Sequence, residues 1–125
     1  MKNRTASCAC GQLRIVCAGE PLMVSLCHCL ACQRRTGSTY GIGAFFLRAD
    51  ACAEGRASSY TRRSDGGHSV MLHFCPECGS TVYCEAERKP EAIAVAVGAF
   101  AGPSFPAPTQ SVWDEHRHPW VTSPR

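Results

Sequence analysis

Apolar positions along this chain recur with a period of two rather than 3.6, and they come in short runs. Ile93 to Val97 alternates Ile, Val and Val with Ala, as a packed strand does. His68 to Phe74 alternates more loosely, and Ser80 to Glu85 follows it across a turn, so the pair predicts a hairpin. Leu13 to Cys17 reads as a strand after a glycine, Ser58 to Arg62 as a weaker one, and Ser111 to Asp114 as a short last strand. Tyr40 to Leu47 is aromatic and apolar but interrupted by Gly41 and Gly43, which predicts a bend or the close approach of another group to the backbone. No stretch of eleven or more residues holds a helical period. Any helix is therefore short, and its expected place is the turn or two after Cys32. The segment GPSFPAP, Gly102 to Pro108, is proline-rich and is expected to run as an extended surface connection. The pattern predicts a mostly β protein.

Length and composition narrow this further. The 125 residues suffice for one domain with a modest core, and the chain is read as a single domain over residues 1–125. Hydrophobic residues make up 45% and charged residues 18%, a balance that folds rather than stays disordered. The formal charge is +3, and the longest basic runs are the pairs Arg34-Arg35 and Arg62-Arg63. That is too little to indicate a nucleic-acid partner. The N-terminal MKNRTASCAC meets cysteine before any signal-like apolar run, so export is not expected. The most apolar stretch, Ile93 to Ala101, is about half the roughly 20 residues that cross a bilayer. The expectation is a cytoplasmic protein with neither a membrane nor a nucleic-acid partner.

Ten cysteines change the picture. Without a secretion signal, such a count points to metal or redox chemistry rather than to a disulfide framework. Seven fall in three groups: Cys8-Ala-Cys10-Gly, Cys27-His-Cys29-Leu-Ala-Cys32 and Cys75-Pro-Glu-Cys78-Gly. Strand patterns enter and leave the third group, so it reads as a zinc-knuckle hairpin tip, with Gly79 free to take a left-handed turn conformation. A knuckle gives two ligands and a structural zinc wants four, so Cys8 and Cys10 are assigned with Cys75 and Cys78 to one closed site. Cys27, Cys29 and Cys32 remain. Two thiolates about 4 Å apart repel by roughly 4 kcal/mol at an effective dielectric of 20, so three ionised neighbours need a cation among them. A zinc held by three cysteines keeps an open fourth position, the arrangement of a catalytic site, and a thiol substrate bound there would be ionised. His28 lies between two of these cysteines. In extended backbone its side chain points away from theirs, so it is read as a supporting or core residue rather than a fourth ligand.

These motifs carry a resemblance. C-x-C-G from Cys8, C-H-C-x-x-C from Cys27 followed by Arg and Thr36-Gly37, and F-C-x-x-C-G from Phe74 are similar to the glutathione-dependent formaldehyde-activating enzyme family, also called the centromere protein V family. The likeness runs from Cys8 to about Trp120 and includes Gly55 with Tyr60, the VAVGAF stretch, Trp113 and His118-Pro119-Trp120. The resemblance implies an Mss4-like fold, a zinc-containing arrangement of small antiparallel sheets, with two zinc ions per chain divided as above. It also implies addition of glutathione to formaldehyde to give S-hydroxymethylglutathione, formally a carbon-sulfur lyase reaction. Relatives commonly carry Arg directly after the third cysteine of the central group; this chain has Gln33, then Arg34 and Arg35. Those three are the expected substrate contacts, with Cys27, Cys29 and Cys32 as the catalytic group.

Other residues receive plainer expectations. Phe45 and Phe46 are read as core, with room for one to wall a pocket. Trp113 and Trp120 are expected to clamp the tail, and His116 and His118 to lie on the surface. Cys17 and Cys84 read as small buried hydrophobes, and Cys52 as exposed. The competing function is a non-catalytic zinc module that binds a protein or nucleic acid, which the same fold allows. A secreted disulfide-rich protein would hold no chelatable metal.

Overall fold

Ten strands, one α-helix and three single-turn 3-10 helices form along residues 2–64, 66–122 and 124, the part of the chain that the computed structural model describes. In chain order the strands and the α-helix are β1 (Asn3–Ser7), β2 (Arg14–Ala18), β3 (Met23–Cys27), α1 (Leu30–Thr36), β4 (Gly41–Leu47), β5 (Ala51–Glu54), β6 (Ser58–Arg63), β7 (Ser69–Phe74), β8 (Thr81–Ala86), β9 (Ala92–Ala96) and β10 (Gln110–Val112). β1, β2 and β5 make a three-stranded sheet. The other seven make a larger one in the order β10-β3-β4-β9-β8-β7-β6. All pairings are antiparallel except that of β10 with β3. Every strand anticipated from alternation is present, and the fold is mostly β as expected.

Three strands lie where alternation is silent. In β1, Ala6 is the only apolar side chain. In β3, Val24, Ser25 and Leu26 are all buried, so both faces are covered and no polar alternate appears. β5 is only four residues long and largely exposed.

The core lies between the two sheets. Ala6, Ile15 and Cys17 of the smaller sheet meet Val24, Ala44, Phe46, Ile93 and Val95 of the larger one. Successive strand residues point to opposite faces. The register therefore gathers a different set on the outer face of the large sheet. Gly43 stands opposite both Ser25 and Ala96, Phe45 opposite Ala94, and Cys84 opposite both Ala94 and Leu72. One face is bulky and closed; the other carries mostly small side chains.

Helix α1 starts earlier than expected because a cysteine caps it. The Cys29 Sγ accepts from the Cys32 N–H at 3.3 Å. Gly37, at φ 67°, ends the helix and donates its N–H to the Gln33 carbonyl. The helix lies close on β4 because Gly41 has no side chain: a Cβ there would sit 2.6 Å from Arg35 Nη2 and 3.4 Å from Cys32 Cβ.

A polar chain stitches β6, β7 and β8 to the turn after β4. Glu85 accepts from His73 Nε2 at 2.6 Å and from Arg48 Nη1 at 2.5 Å, while Ser59 Oγ lies 3.0 Å from His73 Nδ1. The Arg48 hydrogen bond, with help from His73, holds the Glu85 carboxyl below its usual range despite partial burial. A depressed carboxylate contributes stability above its unfolded pKa of about 4.3 and loses it as pH falls through the folded value. Glu85→Gln is expected to lower unfolding free energy by about 1 kcal/mol at pH 7. Urea titrations of both proteins should show that difference shrinking below about pH 4.3.

Candidate functional site

Two turns on different sheets bring the first four cysteines together. Cys8 and Cys10 lie in the β1–β2 turn, and Cys75 and Cys78 at the β7–β8 turn; their sulfurs all lie within 4.8 Å of one another. The Cys8–Cys10 and Cys10–Cys75 sulfur separations are both 3.7 Å. A tetrahedron with metal–sulfur arms of about 2.3 Å has edges of about 3.8 Å, so the spacing fits one four-sulfur ion. Donors reach two of the sulfurs: Leu13 N–H points at Cys8 Sγ (3.3 Å), and Gln12 Nε2 and Glu77 N–H point at Cys75 Sγ (3.0 and 3.3 Å). Burial works against ionising Cys75, yet these donors and the Cys78 N–H leave its thiol below the usual value. Gln12 also clasps the backbone of Arg56 through both ends of its amide. That clasp requires Gly55, where φ is 95° and a Cβ would come 1.9 Å from the Gln12 carbonyl oxygen.

The second cluster is built from one strand end and one helix start. Cys27 ends β3, Cys29 caps α1 and Cys32 lies in its first turn; their three sulfurs are within 4.8 Å of one another. Hydrogen bonds from the Cys27 and Cys32 thiols push Cys29 toward the thiolate, and being a donor pushes Cys27 up. The trio alone thus favours one charge. Three sulfurs could hold a metal ion with one tetrahedral position left over.

His28 is fully buried, and its nitrogens are not among the grouped ligand atoms. Among the described residues neither nitrogen has a hydrogen-bond partner, and the nearest carboxylate oxygen, on Asp114, is 3.9 Å from Nε2. Burial lowers its pKa, and its ring meets Tyr40 edge-on.

The sulfur trio borders a cavity of about 180 Å³ on the small-residue face of the large sheet. Cys27 and Cys32 line it, together with Arg35, Arg62 and Cys84. Burial raises the Cys84 thiol, while Arg35 and Arg62 oppose that shift. Arg62 Nε is buried without a partner among the described residues. A larger groove of about 740 Å³ runs past Tyr40, Ser80 and Phe100. Arg35 borders both spaces.

The expected substrate contacts diverge. Arg35 sits at the junction, while Arg34 is exposed and borders neither space. The Gln33 amide is engaged inside the protein: Nε2 donates to the carbonyls of His28 (2.9 Å) and His116 (3.3 Å), and Oε1 accepts from His118 Nε2 (3.0 Å). His118 is therefore a partner of α1 rather than a plain surface residue. Trp120 is 72% exposed and its ring meets only the neighbouring His118 among the described aromatic contacts, while the tail is held by buried Val121, whose carbonyl accepts from Arg117. Phe46 is core and Phe45 lines the small cavity, Cys17 is buried, and Cys52 is exposed. Cys84 is half-buried at the cavity wall instead of in the core. Arg62 had only its place in a basic pair to mark it, because strand register is what turns it toward the sulfurs.

The fold and site define a class: a mostly β protein with a four-cysteine cluster joining its sheets and a three-cysteine cluster beside a cavity. The chain matches the glutathione-dependent formaldehyde-activating enzyme family over residues 3–116, and it belongs to that family. The crystal structure of a Rhodobacter sphaeroides protein has a similar fold, with a TM-score of 0.62 and 21% identity over 86% of this chain and 98% of that one. No protein of curated function is similar enough to match. No helix among the described residues is long and apolar enough to cross a membrane.

The two clusters should respond differently to loss of a ligand. Cys75→Ser is expected to prevent cooperative folding, because a four-sulfur ion of this kind contributes on the order of 10 kcal/mol. Cys27→Ser is expected to stay folded and lose one equivalent of metal. Circular dichroism with metal analysis of each purified variant checks both outcomes.

Proposed function

We propose that this protein is a zinc-dependent carbon-sulfur lyase that joins glutathione, or a closely related thiol, to formaldehyde. It would hold two zinc ions, one at Cys8, Cys10, Cys75 and Cys78 and one at Cys27, Cys29 and Cys32. The observation that carries the reading is the junction at Arg35. A three-sulfur group one ligand short adjoins a small cavity, and the same arginine also borders a groove within the size range of small-molecule sites.

The residues divide the work by position. Arg35 can grip a carboxylate of the thiol with two parallel hydrogen bonds, leaving the thiol to reach the sulfur trio while the peptide lies along the groove. Zinc bound by Cys27, Cys29 and Cys32 would supply a Lewis acid that stabilises the substrate thiolate. In the reaction the sulfur–carbon bond forms, the carbonyl π bond breaks, and the thiol proton ends on the former carbonyl oxygen. Arg62 offers N–H groups where that oxygen gains negative charge. Gln33 acts indirectly: its amide ties the start of α1 to His116 and His118 and so fixes where Arg35 stands.

The test follows adduct formation by NMR exchange between formaldehyde and glutathione, with metal-loaded protein. Acceleration over the spontaneous reaction is expected, and Cys32→Ser should abolish it. Arg35→Ala should raise KM about 10- to 100-fold with kcat little changed, as loss of a charge-assisted carboxylate contact predicts. Arg34→Ala should stay within about twofold of wild type. Absence of acceleration, or equal effects at Arg34 and Arg35, overturns the reading.

A further inference from the structure

Formaldehyde brings one carbon to the sulfur trio, yet the space beside Cys27 and Cys32 is about 180 Å³. An apolar protein cavity of about 150 Å³ holds benzene, and one water claims about 30 Å³. The space is thus far larger than a one-carbon partner needs. Much of its wall is hydrocarbon: Phe45, Val70, Leu72, Ala86, Ala94 and Val112. The charged groups of the lining are Arg35 and Arg62, and its other polar side chains are Ser25, Cys27, Cys32 and Cys84.

The opening is a consequence of residue size. On the outer face of the large sheet, Gly41, Gly43, Ala94 and Ala96 stand where larger side chains would fill the volume. The same strands carry Ala44, Phe46, Ile93 and Val95 on the core face, where the larger side chains fill the space between the sheets.

We infer that the carbon partner of this site is an aldehyde bearing an apolar chain of about five or six carbons, or an aryl ring, which lies in the cavity between Phe45 and Leu72. This rests on the thiol-addition reading above and extends it. The bond changes are the same: the thiol sulfur joins the aldehyde carbon, the carbonyl π bond opens, and the thiol proton passes to the oxygen, giving a hydroxyalkyl thioether. No oxidant or reductant is involved. The polar end of the adduct stays with Cys27, Cys32, Arg35 and Arg62, and its hydrocarbon end leaves water.

The probes are S-methyl, S-propyl, S-hexyl and S-benzyl glutathione, stable thioethers titrated by calorimetry into the protein as purified, with its metal content measured. The dissociation constant is expected to fall about fourfold per added methylene up to roughly six carbons, as burial of each methylene predicts. S-hexyl glutathione should shift the methyl resonances of Val70 and Leu72, and S-methyl glutathione should leave them in place. Ala94→Leu, or Ala86→Leu if the first does not fold, should remove the dependence on chain length while keeping the affinity for S-methyl glutathione. Affinity that does not change along the series while S-methyl glutathione binds overturns this inference alone. A chain-length gain that survives in the folded leucine variant also overturns it. Failure of every member to bind overturns the thiol reading with it.

Discussion

Thiolates held a few ångströms apart repel one another, and this fold places seven cysteines under that constraint in two clusters. Each close pair costs about 4 kcal/mol at an effective dielectric of 20, which a cation between the sulfurs reverses into attraction. An ion held by Cys8, Cys10, Cys75 and Cys78 would place that attraction between a turn of the small sheet and a turn of the large one. It would draw together two layers, and a chain of this size would gain much from such a clamp. Cys17 shows the other fate of a thiol in the same fold. Isolated in the core, it is pushed by burial up to about 11 and remains a small neutral hydrophobe.

The second cluster lies on the opposite face of the large sheet from the core, and the period of two is what separates them. Along β9, Ile93 and Val95 turn inward to Phe46 and Val24, while Ala94 and Ala96 turn outward. Stability and the opening beside the sulfurs thus draw on alternate residues of one strand. A substitution on the outward face changes the shape of the space without touching the packing that holds the sheets together. Helix α1 adds the remaining constraint, since Cys29 caps it and Cys32 and Arg35 ride on it. Gln33 fastens its start to the C-terminal segment, so the distance from the sulfurs to the arginine is set by a hydrogen-bonded brace.

Much of this was legible along the chain because it is local. Cysteine spacing marked both clusters, the Gly79 turn followed from its hairpin, and the strict alternation of β9 signalled a packed strand. Gly41 and Gly43 suggested a close approach, and Arg35 and α1 supply it at Gly41. What escaped detection depends on register or on distant partners. β3 is buried on both faces and so shows no alternation, and β1 has almost no apolar residue to show. Arg62 and Cys84 reach the cavity only because β6, β7 and β8 pair in one alignment. Gln33 and His118 are 85 residues apart, and nothing in either neighbourhood announces the other.

The rival reading, a zinc module that binds another macromolecule, places different demands on the same residues. Such a module needs its metal only to hold shape, so a fourth ligand closing the second cluster would cost it nothing. Here His28, next to two of those cysteines in sequence, is buried elsewhere beside Tyr40, and the space at Cys27 and Cys32 is left to a cavity. Cations are arranged differently as well. A surface for nucleic acid needs arginines spread outward along a face, whereas Arg35 and Arg62 converge on one small space. Two guanidinium groups beside a cluster of sulfurs stabilise negative charge at a point, which suits a thiolate and a developing alkoxide better than a polyanion.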